Sequence, residues 1–123
     1  MKTDINEIIS LLDSPTKEEL ELVNKAYEFA KNAHQDQKRN DGEPYFNHLY
    51  ATALNIAELG MSATTIAAGF LHDSIEDVGV APETLEKEFG KDVRFIVEGV
   101  TKLGALRYHG ADKHNESLRK LFV

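Results

Sequence analysis

The chain contains no cysteine, so a disulfide scaffold and a thiolate metal site are both excluded. Any metal ion must therefore be bound by histidine and carboxylate ligands. Long apolar runs are also missing, because the longest one beyond the amino terminus is IAAGFL, which is far too short to span a bilayer. The amino terminus carries acidic residues inside its apolar stretch and has no hydrophobic signal region. We therefore expect a cytoplasmic protein with no membrane partner.

Basic residues are in the minority: Lys+Arg is 14 against 21 for Asp+Glu, which gives a formal net charge of -7. This balance argues against a general nucleic-acid partner, which would need a basic face for the phosphates. It leaves room for an anionic small substrate, because a bound metal ion or a local basic patch can reverse the local field. The length of 123 residues fits one domain, and we expect residues 1–123 to form it.

Apolar residues recur at helical spacing along most of the chain, and no segment has a convincing strand pattern. We therefore predict an all-α protein. The first two helices should begin after Asp4 and Thr16, which has Glu19 three residues later as in a capping box. Further helices are predicted at residues 46–59, 61–77, 82–89 and 92–103, followed by a loop at 104–110 and a last helix from Asp112 that the chain leaves unfinished.

One stretch, FLHDSIED, places four titratable residues at the end of a small and apolar predicted helix. At about 100° per residue, His72, Asp73, Glu76 and Asp77 would all lie in one sector of a continuous helix. One interpretation is an ordinary solvated helix end. The other interpretation is a site in which a positive charge balances these carboxylates. Unpaired buried charge costs several kcal/mol, and acidic residues oppose the dipole at a helix carboxyl end. A divalent cation would supply the compensation.

A metal ion needs further ligands, and His48 lies near the start of the preceding predicted helix. Because the two helices are of similar length, a residue near the start of one can face His72 near the end of the next. Two imidazoles and one carboxylate suit Mn, Fe, Co, Ni or Zn better than Mg or Ca. By contrast, His34 falls on an apolar helical stripe, and we expect it to be packed or to cap its helix.

The remaining candidates are weaker. We expect His109 and His114 to be solvated, since they lie in a predicted loop and at a helix start. Lys38 and Arg39 form a basic pair in a polar segment. This pair either serves solubility or clamps an anionic or planar ligand, because a guanidinium group can stack on a base.

Four motifs in order, HQDQKRNDGEPYFNH, AAGFLHDSIEDV, FGKDV and GVTKL, together resemble the hydrolase domain of the RelA/SpoT family. The resemblance runs from about Ala26 to the end of the chain. Members of this family are HD-type metal phosphohydrolases that act on the alarmone (p)ppGpp. The resemblance implies an all-α HD-domain bundle of about six to seven helices and the removal of the 3′-pyrophosphate from (p)ppGpp to give GDP or GTP.

The resemblance also implies roles for individual residues. His48, His72 and Asp73 match the ligands of a metal ion, which in this family is usually Mn²⁺. Glu76 and Asp77 match the carboxylate pair that positions and activates the attacking water.

Arg39 matches the arginine that packs on the guanine base, so the implied partner is the guanine nucleotide (p)ppGpp. The chain departs from the family pattern nearby. Asn40 stands where the family has a lysine or a similar residue, and Asp41 adds negative charge where phosphate is expected. Leu49 replaces the usual proline after the first metal-binding histidine.

A fourth metal ligand, an aspartate, and a substrate-contacting asparagine follow in the family beyond the point where this chain stops. We therefore expect the carboxyl-terminal part of the usual domain to be missing and the metal site to be incomplete, weakly occupied or completed by another chain. Exposed apolar surface could then drive the formation of a homo-oligomer. Two alternatives remain at this point: an HD phosphohydrolase of another nucleotide, and a non-catalytic HD-fold regulatory module.

Overall fold

The computed structural model of the protein describes residues 2–108, with side chains through Lys102. Between residues 2 and 108 it contains seven helices, and its β pairing is limited to an isolated bridge between Lys38 and Pro44. The helices are α1 (Ile5–Ile9), α2 (Lys17–Ala33), α3 (Tyr45–Glu58), α4 (Ala63–Leu71), α5 (Ser74–Val78), α6 (Pro82–Phe89) and α7 (Lys91–Tyr108). The predicted all-α class is confirmed. No helix of the described part is both long enough and apolar enough to cross a membrane.

Local signals set several helix starts as predicted. The hydroxyl of Thr16 accepts a hydrogen bond from the backbone N–H of Glu19 at 3.1 Å, and the Glu19 carboxylate accepts one from the Thr16 N–H at 2.9 Å. This reciprocal pair is the expected capping box, which satisfies two donors that the helix leaves unpaired. Asp4 and Ser62 cap α1 and α4 through their side-chain oxygens.

Two predicted elements are wrong. The helix expected over residues 61–77 is two helices, because the backbone leaves helical geometry at Asp73, with φ −97° and ψ 2°. The loop expected from residue 104 is helical as far as Tyr108. An isolated glycine such as Gly104 weakens a helix by only about 1 kcal/mol, so it need not end one. The predicted last helix and the histidines His109 and His114 lie outside the described residues.

The centre of the bundle is α4, which packs against α2, α3 and α7. Its small apolar residues are buried almost throughout, and this lets the neighbouring helices approach closely. Three aromatic rings from three helices meet there: Tyr27 lies edge-on to Phe46 and Phe70, at centroid distances of 5.2 and 5.7 Å. This packing fixes the position of α4 and hence of the residues at its carboxyl end.

The amino-terminal helix α1 is part of the same core. Ile8 is fully buried in the core cluster. The hydroxyl of Tyr50 on α3 is bonded to the Asp4 backbone oxygen at 3.0 Å and to the Glu7 carboxylate. Helix α1 therefore shares one hydrophobic core with the other helices whose side chains the structure describes.

Candidate metal centre

The candidate site begins at the break between α4 and α5. His72 caps α4, and its Nδ1–H donates to the backbone oxygen of Gly69 at 2.7 Å. A carbonyl oxygen only accepts, so Nδ1 holds the proton and the Nε2 of a neutral ring carries the lone pair. Asp73 follows in the bridge region of backbone conformation, which is sparsely populated and frequent at active sites. The helix break therefore turns both side chains toward one point.

His48 reaches the same point from the first turn of α3. Its Nε2 lies 3.9 Å from the Oδ2 atom of Asp73, and the Nε2 of His72 lies 3.1 Å from that oxygen. One ligand atom from each of the three residues lies within 4.8 Å of the others. The proximity expected for His48 and His72 is thus present in the structure.

The donor set fits a divalent cation. The side chains of His48, His72 and Asp73 are only 11%, 3% and 10% exposed, so little water can solvate them. With the Nδ1 proton directed at Gly69, the Nε2 lone pair of His72 would face a carboxylate oxygen unless a proton or a cation lay between them. Two imidazole nitrogens and one carboxylate oxygen are ligands that first-row transition metals accept.

The pKa values of Asp73 and His48 favour metal binding. Burial raises the pKa of Asp73. When the two imidazoles carry protons, the hydrogen bond from His72, the charges of both rings and the hydrogen bond from Tyr45 outweigh burial and lower the value to about 2. Burial, followed by the neighbouring His72, lowers the pKa of His48 below its ordinary value. At neutral pH the carboxylate is therefore ionised and the His48 imidazole is neutral, as metal ligands must be.

Tyr45, the first residue of α3, is also part of the site, although it is not among the candidate residues that the sequence indicated. Its hydroxyl donates to Oδ2 of Asp73 at 2.5 Å. Burial and the nearby Asp73 and Asp77 raise the pKa of Tyr45 above its ordinary value, so the hydroxyl keeps its proton. A tyrosine three residues before His48 lies on the same helix face, and this spacing is the signal that could have identified it.

Arg39 lies in the loop between α2 and α3, which turns tightly through hydrogen bonds from Arg39 N–H to the Glu43 oxygen and from Gly42 N–H to the Arg39 oxygen, both 2.9 Å. A cavity of about 390 Å³ opens beside this loop. Its lining includes both Arg39 and His48, so the cavity extends from the basic loop to the candidate metal centre. Asp41 also lines it and contributes negative charge, as its position in the sequence suggested.

Glu76 and Asp77 lie on α5, and both are exposed. The prediction that these two residues share one sector of a continuous helix with His72 and Asp73 is wrong, because the helix is broken between them. Asp77 is nevertheless close enough for its charge to influence the pKa of both Tyr45 and His48. Among the side chains that the structure describes, through Lys102, Glu76 has no hydrogen-bond or ion-pair partner.

His34 is buried at the carboxyl-terminal cap of α2, with 1% of its surface exposed, and its ring stacks on Tyr45 at a centroid distance of 5.2 Å. The predicted packed or capping role is therefore what the structure shows. Its Nδ1 pairs with the Gln37 side-chain oxygen at 2.8 Å.

Comparison with known proteins agrees with this arrangement. A family model described as HD domain matches residues 26–122. A guanosine-3′,5′-bis(diphosphate) 3′-pyrophosphohydrolase of Aquifex aeolicus is 41% identical over 122 residues, which is 99% of this chain and 17% of that protein. The bifunctional (p)ppGpp synthase/hydrolase SpoT of Escherichia coli is 36% identical over 108 residues, 87% of this chain and 15% of that protein. A probable GTP pyrophosphokinase of Mycobacterium leprae is 43% identical over 107 residues, 87% of this chain and 14% of that protein.

The chain therefore belongs to the HD domain family, a class of helical domains that bind a divalent metal ion. Within it, the similarity to SpoT and to the pyrophosphohydrolases identifies an HD domain of the RelA/SpoT family. The chain spans about a sixth of the length of these curated relatives.

Proposed function

We propose that the protein is a metal-dependent phosphohydrolase that removes the 3′-pyrophosphate from ppGpp or pppGpp and gives GDP or GTP. The observation that carries this proposal is the convergence of His48, His72 and Asp73, with His48 lining a cavity that Arg39 also lines. Relatives whose names state this hydrolysis support the choice of substrate.

In this proposal His48, His72 and Asp73 hold Mn²⁺. The nitrogen and oxygen donors and the absence of cysteine support a transition metal of this kind. Bound there, the ion would polarise a phosphoryl oxygen and lower the pKa of a coordinated water. The incomplete or weakly occupied metal site expected from the sequence stays a prediction, which a Mn²⁺ titration measures directly.

The carboxylates of α5 would orient the attacking water and accept its proton. The oxygen of water forms a bond to the phosphorus nearest the ribose, and the bond from that phosphorus to the 3′ oxygen breaks. Asp77 would accept the proton of the water, since its charge acts on Tyr45 and His48 at the site. Glu76, one residue earlier, would help to orient that water. The ribose oxygen takes up a proton, and pyrophosphate leaves.

Arg39 would hold the guanine base by stacking its guanidinium group on the ring. Its position at the cavity supports this role.

We also propose that residues 1–123 form a single HD domain. The matched region begins at residue 26, yet α1 contributes the buried Ile8 to the common core. Cytoplasmic location, the absence of nucleic-acid and membrane partners, and self-association remain predictions. Phe95 on α7, which is 78% exposed, is one apolar residue that self-association would cover.

The test is a turnover assay with purified protein, ppGpp and Mn²⁺, in which GDP and pyrophosphate are measured with and without chelator. We expect turnover that chelator abolishes and that His72→Ala loses. Asp77→Asn should lower kcat by about 10²- to 10⁴-fold, the range for removal of a general base, and should leave Mn²⁺ affinity nearly unchanged. A folded, Mn²⁺-binding protein that releases no pyrophosphate would contradict the proposed activity.

A further inference from the structure

One hydrogen bond at the site has no role in the proposed chemistry. The hydroxyl of Tyr45 donates to Oδ2 of Asp73 at 2.5 Å. This is the same carboxylate oxygen that lies 3.1 Å from Nε2 of His72 and 3.9 Å from Nε2 of His48. The hydroxyl therefore acts on the oxygen that faces both imidazoles, and it comes from α3, whereas Asp73 lies at the break between α4 and α5.

The Tyr45 ring is held from both sides. It stacks on His34 at 5.2 Å, with an angle of 21° between the ring planes, and meets His48 edge-on at 5.5 Å. Its backbone N–H donates to the Gln37 backbone oxygen at 2.8 Å, and the Gln37 side chain in turn pairs with His34. Because ring and backbone are both anchored, the hydroxyl has little freedom to leave Asp73.

Besides Tyr45, the Asp73 carboxylate contacts the two imidazoles that would share the metal ion with it. It lies at the break between helices, and it makes no side-chain cap hydrogen bond to α5. A carboxylate at such a position can rotate about its last side-chain bond, where rotamer wells are broad. A fixed donor on one oxygen selects one orientation from that range.

From this arrangement we infer that Tyr45 is a positioning residue, whose hydroxyl orients the Asp73 carboxylate so that Oδ2 faces His48 and His72. The inference rests on the proposed metal site. Tyr45 acts through Asp73 and need not touch the substrate. Groups that orient a metal ligand from outside the coordination shell typically contribute 10- to 100-fold to metal affinity.

The first test is the affinity for Mn²⁺ alone, measured by electron paramagnetic resonance or calorimetry, for the unmodified protein and for Tyr45→Phe. The phenylalanine keeps the ring and its packing and removes only the hydroxyl. We expect affinity to fall about 10- to 100-fold. Tyr50→Phe is a matched control, since Tyr50 is a buried tyrosine of the same helix whose hydroxyl is bonded to Asp4 and Glu7 instead. It should lose thermal stability and keep Mn²⁺ affinity within about threefold, because its hydroxyl lies outside the proposed metal shell.

A second comparison asks whether the hydroxyl acts through the carboxylate. In an Asp73→Asn background, Tyr45→Phe should lower Mn²⁺ affinity by less than about twofold, since contacting residues couple in double-mutant cycles. Equal affinities for the unmodified protein and Tyr45→Phe would overturn the inference and leave the metal site standing. Failure of the unmodified protein to bind Mn²⁺ would overturn the proposed site and the Tyr45 inference with it. Tight binding without ppGpp turnover would count against the proposed activity alone.

Discussion

The Nε2 atom of His72 lies 3.1 Å from Oδ2 of Asp73, although neighbouring residues of a regular helix point about 100° apart. This approach requires the helix to end between α4 and α5. The hydrogen bond from His72 to Gly69 fixes the imidazole at the last turn of α4, and the non-helical backbone of Asp73 directs the carboxylate back toward it. The break in the helix is thus what makes a chelating pair from two adjacent residues.

The pH dependence of metal binding should follow the His48 imidazole and not the Asp73 carboxylate. Burial and His72 lower the pKa of His48, so His48 takes up a proton only below its ordinary value, and the pKa of Asp73 is about 2. Between about pH 5 and 8, where histidines titrate, Asp73 remains ionised. We therefore expect Mn²⁺ affinity to be constant at the upper end of this range and to fall toward the lower end as imidazole is protonated.

Two variants separate the contributions of Asp73 and His48 to the pH dependence of Mn²⁺ binding. Asp73→Asn should lower Mn²⁺ affinity at every pH and should also move the midpoint of the pH curve to lower pH, because the Asp73 charge acts to raise the pKa of His48. His48→Ala should lower affinity and also reduce by about one the number of protons that compete with the metal, because a ligand must lose its proton to bind. A midpoint that moves to higher pH in Asp73→Asn would contradict the prediction, because it would mean that the Asp73 charge does not favour the protonated imidazole.

Removal of the Arg39 guanidinium should weaken nucleotide binding selectively. Arg39 lines the cavity beside His48, whereas its neighbour Lys38 does not. We expect Arg39→Ala to raise KM for ppGpp about tenfold, equivalent to about 1.4 kcal/mol, with kcat little changed. Lys38→Ala removes the same charge from the same loop and should leave KM within about twofold, since exposed charges contribute little. Equal effects of the two substitutions would indicate general electrostatic attraction instead of a base contact.

Ser74, next to the site, tests how much a buried hydroxyl without a hydrogen-bond partner costs in stability. Its side chain is fully buried, and within the described residues its hydroxyl has no hydrogen-bond partner. An unsatisfied buried hydroxyl costs about 1–3 kcal/mol, so Ser74→Ala should raise the free energy of unfolding by about 1 kcal/mol. Ser62→Ala is the contrasting control, because Ser62 caps α4 and its loss should cost about 1 kcal/mol. Urea denaturation measures both, and a destabilised Ser74→Ala would mean that the hydroxyl has a partner.

The contrast between what the sequence predicted and what it missed has a physical origin. Helix starts such as the Thr16 and Glu19 capping box depend on residues three apart, so the pattern alone determines them. The approach of His48 to His72 followed from the lengths of two neighbouring helices. Hydrophobic periodicity, however, averages over several turns and is insensitive to the backbone angles of a single residue. For this reason it missed the break at Asp73.

Tyr45 shows the other limit. Its spacing from His48 places it on the same helix face, but its partner Asp73 is 28 residues away in the chain, so no local pattern predicts the hydrogen bond between them. The loop residues Arg39 and Asp41 line one cavity because the backbone between them turns tightly. The spacing of residues in the sequence does not predict where such a turn places their side chains. The metal, catalytic and substrate-binding roles assigned from the family resemblance stay predictions until the measurements proposed above are made.

The contact between α3 and α4 should be sensitive to a single methyl group at Gly69. A Cβ atom there would lie 2.7 Å from Cδ1 of Ile56 and 3.5 Å from the Cα of Ala53. Ile56 is fully buried, so it can yield only by disturbing a packed core, which typically costs about 1–3 kcal/mol. Because the Gly69 carbonyl also holds His72, a shift of α4 away from α3 would separate His72 from His48.

Gly69→Ala should therefore lower both the free energy of unfolding and the affinity for Mn²⁺. Gly99 on α7 provides the matched control, since a Cβ there would meet nothing within 4 Å. Gly99→Ala should raise stability by about 0.5–1 kcal/mol, the usual gain for alanine over glycine inside a helix, and should not change Mn²⁺ affinity. If Gly69→Ala were as stable as the unmodified protein and bound Mn²⁺ equally well, the α3–α4 contact would have to be looser than its geometry indicates, and the placement of His72 would have to depend on something other than this close approach.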